Sequence, residues 1–286
     1  MTVTFRAPRL TPRAKSAILS LRTSCKVNVE VMKMAGSIFG KMFSVSTWGE
    51  SHGGGVGVVV DGCPAGIALS ESDIQKYLDR RRPGQSQFAT ARSEPDEARI
   101  LSGVFEGRTT GTPVSIMVAN TSQRSKDYSE IASYYRPGHA DYTYDMKYGF
   151  RDYRGGGRSS GRETTARVAG GAVAARLLEE LGVSVQAYTI SIGSAKVSPG
   201  CFDMEEVTKN PFYMPDREAA AEAAEYTKEC MERGDSAGGV IECVARGLPA
   251  GIGDPCFDKL DARLAAAVMS IGAVKGFEVG SGFGAA

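Results

Sequence analysis

Two histidines occur in the 286 residues, and both stand in polar, glycine-rich stretches. His52 lies in TWGESHGGG (47–55) beside Glu50 and Ser51; His139 lies in YYRPGHADYTYD (134–145), close to Arg136 and Asp141. Imidazole gains and loses a proton near neutral pH, and a pair of histidines placed this way points to general acid–base chemistry. A single histidine read alone is more often structural. The stretch RDYRGGGRSSGRETTARV (151–168) carries a second chemistry. Its glycines let the backbone approach a ligand, Arg158, Ser159 and Ser160 supply donors, and a helix begins behind them with its first amides open. Those features make an anion site, most often for phosphate; the alternative is a polar helix start with a flexible lead-in. No Lys-Ser/Thr follows the glycines, which excludes a Walker loop, and no strand leads into a G-x-G-x-x-G, which argues against a dinucleotide fold. Arginines supply a third element: Arg80, Arg81 and Arg82 precede a Pro-Gly turn, and Arg92 follows. Guanidinium forks hold phosphate and carboxylate through paired hydrogen bonds, although such a run also suits a solvated face. Together these groups fit an enzyme acting on a small phosphorylated acid. The residues alone do not name the reaction.

The whole chain narrows the classes further. Basic and acidic residues balance at 34 and 33, so neither net charge nor interleaved aromatics support a nucleic-acid partner. No apolar run approaches the roughly 20 residues that span a bilayer. The six cysteines are scattered without a CxxC pair; they read as reduced thiols of an intracellular protein, with no metal site. Residues 1–33 carry seven Lys/Arg against one acid, Glu30. That composition suits a transit peptide or an upstream extension with Met34 as the natural start, and the extension is the favoured reading. This segment is set aside from the fold.

The groups above need elements to position them. Residues 55–82 and 239–271 share a plan: a β-branched strand, a G-x-P-A-G-I turn, then a helix opening on acidic residues. This recurrence reads either as a duplication giving pseudo-symmetric halves around one core, or as convergent turn chemistry. Ser70 with Asp73 forms a capping-box pattern for the first helix, whose apolar face is Ile74, Tyr77 and Leu78; Leu260, Leu264, Val268 and Ile271 make the apolar face of the second. Strands are expected over 114–120 and 183–193, and helices over 162–181 and 216–234, each closed by a glycine at 182 or 234. The Gly170-Gly171 pair inside a helix suggests close approach by another backbone or a flat ligand. Mixed strands and helices give an α/β or α+β class.

At these residues the sequence resembles the chorismate synthase family. GESHG followed by an apolar run and DGCPAGI, then RRRPGQS, ILSGVFEGRTTGTPVSIMVANTSQRSKDYS, YRPGHADYTYDMKYGFRDYRGGGRSSGRETTARVAGGAVA and MSIGAVKGFEVGSGF, carry the resemblance in order over residues 34–283. It implies an α+β fold, a β-α-β sandwich with a helical layer between two antiparallel sheets, assembled as a homotetramer in the cytoplasm, or in a plastid if residues 1–33 are a transit peptide. It implies a lyase that converts 5-enolpyruvylshikimate 3-phosphate to chorismate and phosphate by anti 1,4-elimination with reduced FMN. The resemblance leaves open whether NADPH reduces the flavin on this chain or reduced flavin arrives from elsewhere. His52 would protonate the departing phosphate and His139 the reduced flavin. Arg81, Arg136 and Arg162 match substrate-holding positions, and Arg158, Ser159, Ser160, Gly272 and Ala273 match flavin-contacting ones. Two departures stand out: Gln87 replaces a basic residue common in the family, and the family's glycine-rich flavin loop and Arg-His-Asp-Pro motif are not found. Residues 34–286 are therefore expected to form one domain lacking its C-terminal part, with weak or no turnover, and the alternative function is flavin or phosphate binding alone.

Overall fold

The computed structural model describes residues 36–88, 94–121 and 130–285. The basic segment 1–33 and Arg92 lie outside the described residues. In chain order come β1 (Ile38–Gly40), β2 (Ser44–Gly49), β3 (Gly55–Asp61), α1 (Glu71–Arg81), β4 (Ala98–Ser102), the short pair β5 (Val104–Phe105) and β6 (Arg108–Thr109), and β7 (Val114–Ala119). After them follow α2 (Asp141–Tyr148), α3 (Thr164–Glu180), β8 (Ser184–Ile192), β9 (Ala195–Lys196), α4 (Arg217–Glu232), β10 (Gly239–Arg246) and α5 (Leu260–Met269).

The first sheet has the order β1-β2-β3-β7-β4 and is antiparallel throughout. Its central strand β3 is the apolar run GVGVVVD, paired on one edge with β2 and on the other with β7. Val56, Val58 and Val60 on β3 and Val114, Ile116 and Val118 on β7 are all buried. Ile74 and Leu78 of α1 close over them, with Tyr77 partly buried beside them, as the helical spacing predicts. Each fully buried Val, Ile or Leu contributes roughly 1.5–3 kcal/mol, so this core fixes the sheet whose ends carry the candidate site. The start of α1 is set as expected: the Ser70 amide donates to the Asp73 carboxylate at 2.9 Å.

Helix α3 lies on the first sheet through small residues, with Ala166, Ala169, Gly170 and Ala172 buried. A Cβ added at Gly170 would sit 3.2 Å from Val58 and 3.3 Å from Val45, whereas one at Gly171 would meet nothing. The close approach at Gly170 is thus made by valine side chains of the sheet and not by a backbone. Gly182, at φ +73°, ends α3 in a Schellman arrangement: its amide bonds Glu179 O and that of Val183 bonds Leu178 O. Gly234 closes α4 in the same way, with the Asp235 amide on Cys230 O.

The second sheet has the order β10-β8-β9, again antiparallel. Helix α4 packs on β8 and β9, and α3 touches strands of both sheets. The fold is therefore α+β, antiparallel sheets with helices between them. The strand–turn–helix order recurs in β3–α1 and β10–α5, but the burial does not. Helix α5 has no fully buried side chain; Leu260, Leu264 and Ile271 of its apolar face are exposed and Val268 is half-buried. Among the described residues no helix is long and apolar enough to cross a membrane.

Candidate active site

The site forms where the ends of β2, β7 and α1 meet the start of α3. Strand β2 ends at Gly49, the first residue of GESHG, and passes into the loop of residues 50–54, called the GESHG loop. Asn120, just past β7, clamps that loop: its side-chain amide donates to Glu50 O and Gly53 O, both at 2.9 Å, and its backbone amide to Gly54 O at 3.2 Å. Ser51 and His52 are consequently buried, at 2 % and 7 % exposure.

The glycine-rich turn folds onto this loop. Gly155, Gly156 and Gly157 hold φ of +60°, +89° and +53°, a left-handed run that L-residues rarely adopt. Ser51 Oγ donates to Gly155 O at 3.2 Å, joining residues 104 apart in the chain. A Cβ at Gly155 would come within 2.3 Å of His52 Cδ2 and 2.6 Å of Nε2, so the bare backbone of Gly155 lies directly against the imidazole. Asp152 is near enough to feel the His52 charge. Burial pushes its carboxyl up, but the fork from Arg154, at 2.9 and 3.0 Å, outweighs this and lowers it overall.

The arginines divide into two groups. Arg81, at the end of α1, reaches Asp96 Oδ2 at 2.9 Å, Thr164 Oγ1 and Gly161 O at 3.1 Å. Arg162 is buried on the other side of the same carboxylate; it bonds Asp96 Oδ1, Asn120 Oδ1 at 2.8 Å and Ala119 O. These two substrate-holding candidates therefore share one anion. Arg136 stands beside the glycine turn, 3.8 Å from where a Gly156 Cβ would lie. Its Nε and Nη2 fork onto Asp141 at 2.8 and 2.9 Å, and Arg151 reaches the same carboxylate at 3.3 Å. Hydrogen bonds from Arg136 lead in holding the Asp141 carboxyl far below its usual range, and the Arg151 charge adds to them.

Other predicted residues take local roles. Arg158 turns inward, donating to Thr47 O and Oγ1 and to Gly49 O, and so pins the glycine turn to β2. Ser159 Oγ bonds Gly156 O, and Ser160 Oγ accepts from the Arg162 amide. The amides of Glu163 and Thr164 also bond within this turn, so the open cradle expected at the helix start is largely filled by protein. His139 is exposed on the Pro137-Gly138 turn, where Nδ1 donates to Pro137 O at 3.1 Å. Because a carbonyl only accepts, this bond orients the ring through a proton on Nδ1. Gly272 and Ala273 follow α5 and are tied in indirectly: Ser270 Oγ accepts from Arg167, Arg167 bonds Glu163, and Glu163 accepts from Thr47 Oγ1.

Arg81 also lines a small pocket of about 220 Å³ with Tyr77, Arg80, Val168 and Tyr213. A larger groove of about 930 Å³ runs along the outer edge of β4, between Glu71 and Leu101, and holds none of these groups. Among the described residues no His, Cys, Asp and Glu cluster is arranged to bind a metal. Asp96, Asn120 and Glu163 are central here and were not singled out from the sequence. One signal was available for Asp96: a buried arginine needs a counter-charge, and EPDE is the acidic segment nearest the arginine run.

The chain is similar to known proteins of one family. The family profile described as chorismate synthase matches residues 43–286. A chorismate synthase of Lachnospira eligens is 63 % identical over 253 residues, covering 88 % of this chain and 69 % of the relative. One from Rhizorhabdus wittichii is 60 % identical over 253 residues, covering 88 % and 70 %. A solved structure described as a crystal structure of chorismate synthase superposes with a TM-score of 0.70 at 34 % identity, over 86 % of this chain and 70 % of that one. With the family profile matched over nearly the whole described chain and such relatives on both sequence and structure, this protein belongs to the chorismate synthase family.

Proposed function

We propose that the chain acts as a lyase on 5-enolpyruvylshikimate 3-phosphate, eliminating phosphate to give chorismate. One observation carries the reading: the GESHG loop and the glycine-rich turn fold against each other with Arg81, Arg136 and Arg162 around them. The substrate bears one phosphate and two carboxylates, and an arginine-lined site offsets that charge. His52 is the general acid in this reading. It is held by the Asn120 clamp and covered by Gly155, which keeps bulk water from its ring. Arg81 and Arg136 hold the anionic groups, while Arg162 adds positive charge from the floor of the site. His139, its ring oriented through Nδ1 on an exposed turn, is the residue that protonates the reduced flavin in this reading.

Reduced FMN supplies transient electron donation to the substrate when bound. The residues fit such a group in part. A Cβ at Gly161 or Gly272 would touch nothing, and Ser159 is exposed, so both stretches offer bare backbone to a flat ring or its phosphate. Arg158 does not add to that surface, since its donors face β2. Assembly as a homotetramer belongs to the same reading, and exposed Tyr142, Met146 and Phe150 around α2 suit such a contact; light scattering measures it.

A second reading, binding without turnover, is favoured by one feature. Helix α5 has no fully buried residue, so less packing holds the 270–273 loop behind it than holds the loops of the first sheet. Titration of the chain with reduced FMN, alone and with 5-enolpyruvylshikimate 3-phosphate, followed by phosphate release under anaerobic conditions, separates the two. Mutually enhanced binding with phosphate release supports the lyase, binding without release supports the second reading, and no binding of either ligand overturns both.

A further inference from the structure

We infer that Asp96 is a positioning residue that sets the orientation of Arg81 and Arg162 for anion binding. The inference rests on the reading of this site as the substrate site. Asp96 is fully buried, and a buried carboxylate persists only when paired and hydrogen-bonded. Its two oxygens serve two guanidinium groups, Oδ2 receiving Arg81 and Oδ1 receiving Arg162. Its backbone sits at φ +49°, a conformation that Asp tolerates better than most residues but that is held here by its surroundings. Gln75 of α1 fixes the Asp96 carbonyl at 3.3 Å. Through Arg162 and Asn120 the same carboxylate connects to the GESHG loop. One side chain therefore joins the end of α1, the start of α3 and the loop that carries His52. Within this cluster Arg81 is the member that reaches solvent, its side chain 20 % exposed against 4 % for Arg162. Without the shared anion the two cations repel each other, and Arg81 loses the partner that aims it.

Asp96→Asn tests this, because Asn keeps the shape and tolerates the left-handed backbone while losing the charge and one acceptor. In that variant 5-enolpyruvylshikimate 3-phosphate affinity should fall about tenfold or more, the equivalent of one charge-assisted hydrogen bond. FMN affinity should stay within about twofold, and wherever turnover is measurable KM should rise more than kcat falls. Phenylglyoxal labelling read by peptide mass spectrometry should accelerate at Arg81 and Arg162 by about the same factor, with exposed Arg217 and Arg233 of α4 and its C-cap unchanged. If the Asn variant does not fold, Asp96→Gly, which suits φ +49°, takes its place. Unchanged labelling at Arg81 and Arg162, equal acceleration at all four arginines, or undiminished substrate affinity would overturn the inference. Should the native chain not bind the substrate at all, the functional reading fails, and the labelling alone decides whether Asp96 orients the arginines.

Discussion

Gly155→Ala probes the contact between the glycine-rich turn and His52 most sharply. The added methyl would stand 2.3 Å from His52 Cδ2, 2.6 Å from Nε2 and 2.7 Å from Ser51 Oγ, on a residue at φ +60°. Ordinary contact requires about 3.5 Å or more, so the ring or the turn must move by roughly 1 Å. Placing Ala in the left-handed region costs about 1 kcal/mol, and overpacking a filled site adds about 1–3 kcal/mol. The sum is about 2–4 kcal/mol, which for a chain of this size lowers Tm by roughly 4–16 °C. A 1 Å displacement of a reacting group can cost about a hundredfold in rate. With two histidines in the chain, imidazole NMR resolves both rings. The His52 signals should shift while those of His139 stay in place. Gly161→Ala is the control, since its Cβ meets nothing and neither signal should move. A Gly155→Ala protein with unmoved His52 signals and a Tm within about 1 °C of the parent would refute the packing argument.

Three more outcomes follow from the geometry. Asn120→Ala removes both side-chain bonds to the GESHG loop; stability should drop by about 1–3 kcal/mol, and hydrogen exchange should rise at residues 50–54 before it rises in β3. Gly171→Ala places a methyl in open space on α3 and should raise stability by roughly 0.5–1 kcal/mol in a denaturant titration; a loss there would contradict the helix placement. Asp141 has a carboxyl pKa lowered by Arg136, so its stabilisation is complete above the unfolded value of about 4 and fades as pH falls toward the lower folded value. The stability gap between the parent and Asp141→Asn should therefore be constant from pH 7 to 5 and shrink below about pH 4, as read by urea unfolding at each pH.

Much of the local structure was legible because its causes are local. Ser70 with Asp73, and the closing glycines at 182 and 234, act within a few residues, and each does what its type predicts. The buried run of β3 was equally plain, since valines at 56, 58 and 60 have nowhere to go but a core. Gly170 was misread because its neighbours, Val45 and Val58, come from strands far off in the chain. The same limit governed the site. Histidine among glycines and arginine before Pro-Gly announce chemistry by type, whereas Asp96 looks like an ordinary loop residue and Asn120 like the last residue of a strand until the fold brings Arg162 between them. Arg158 shows the converse: its type was right for an anion, but its direction depended on carbonyls at the end of β2. The apolar face of α5 was readable from its spacing, and its exposed leucines show that burial belongs to whatever packs against a face.

The central claim is that His52 is the proton donor of a lyase site, and single-turnover formation of chorismate tests it most directly. The parent chain and His52→Ala are mixed anaerobically with reduced FMN and 5-enolpyruvylshikimate 3-phosphate, and chorismate is followed by absorbance. The account predicts chorismate from the parent, with His52→Ala binding both ligands but forming product about a hundredfold more slowly, as for a lost general acid. Comparable rates in the two proteins, or no chorismate from a parent chain that binds both ligands, would contradict it.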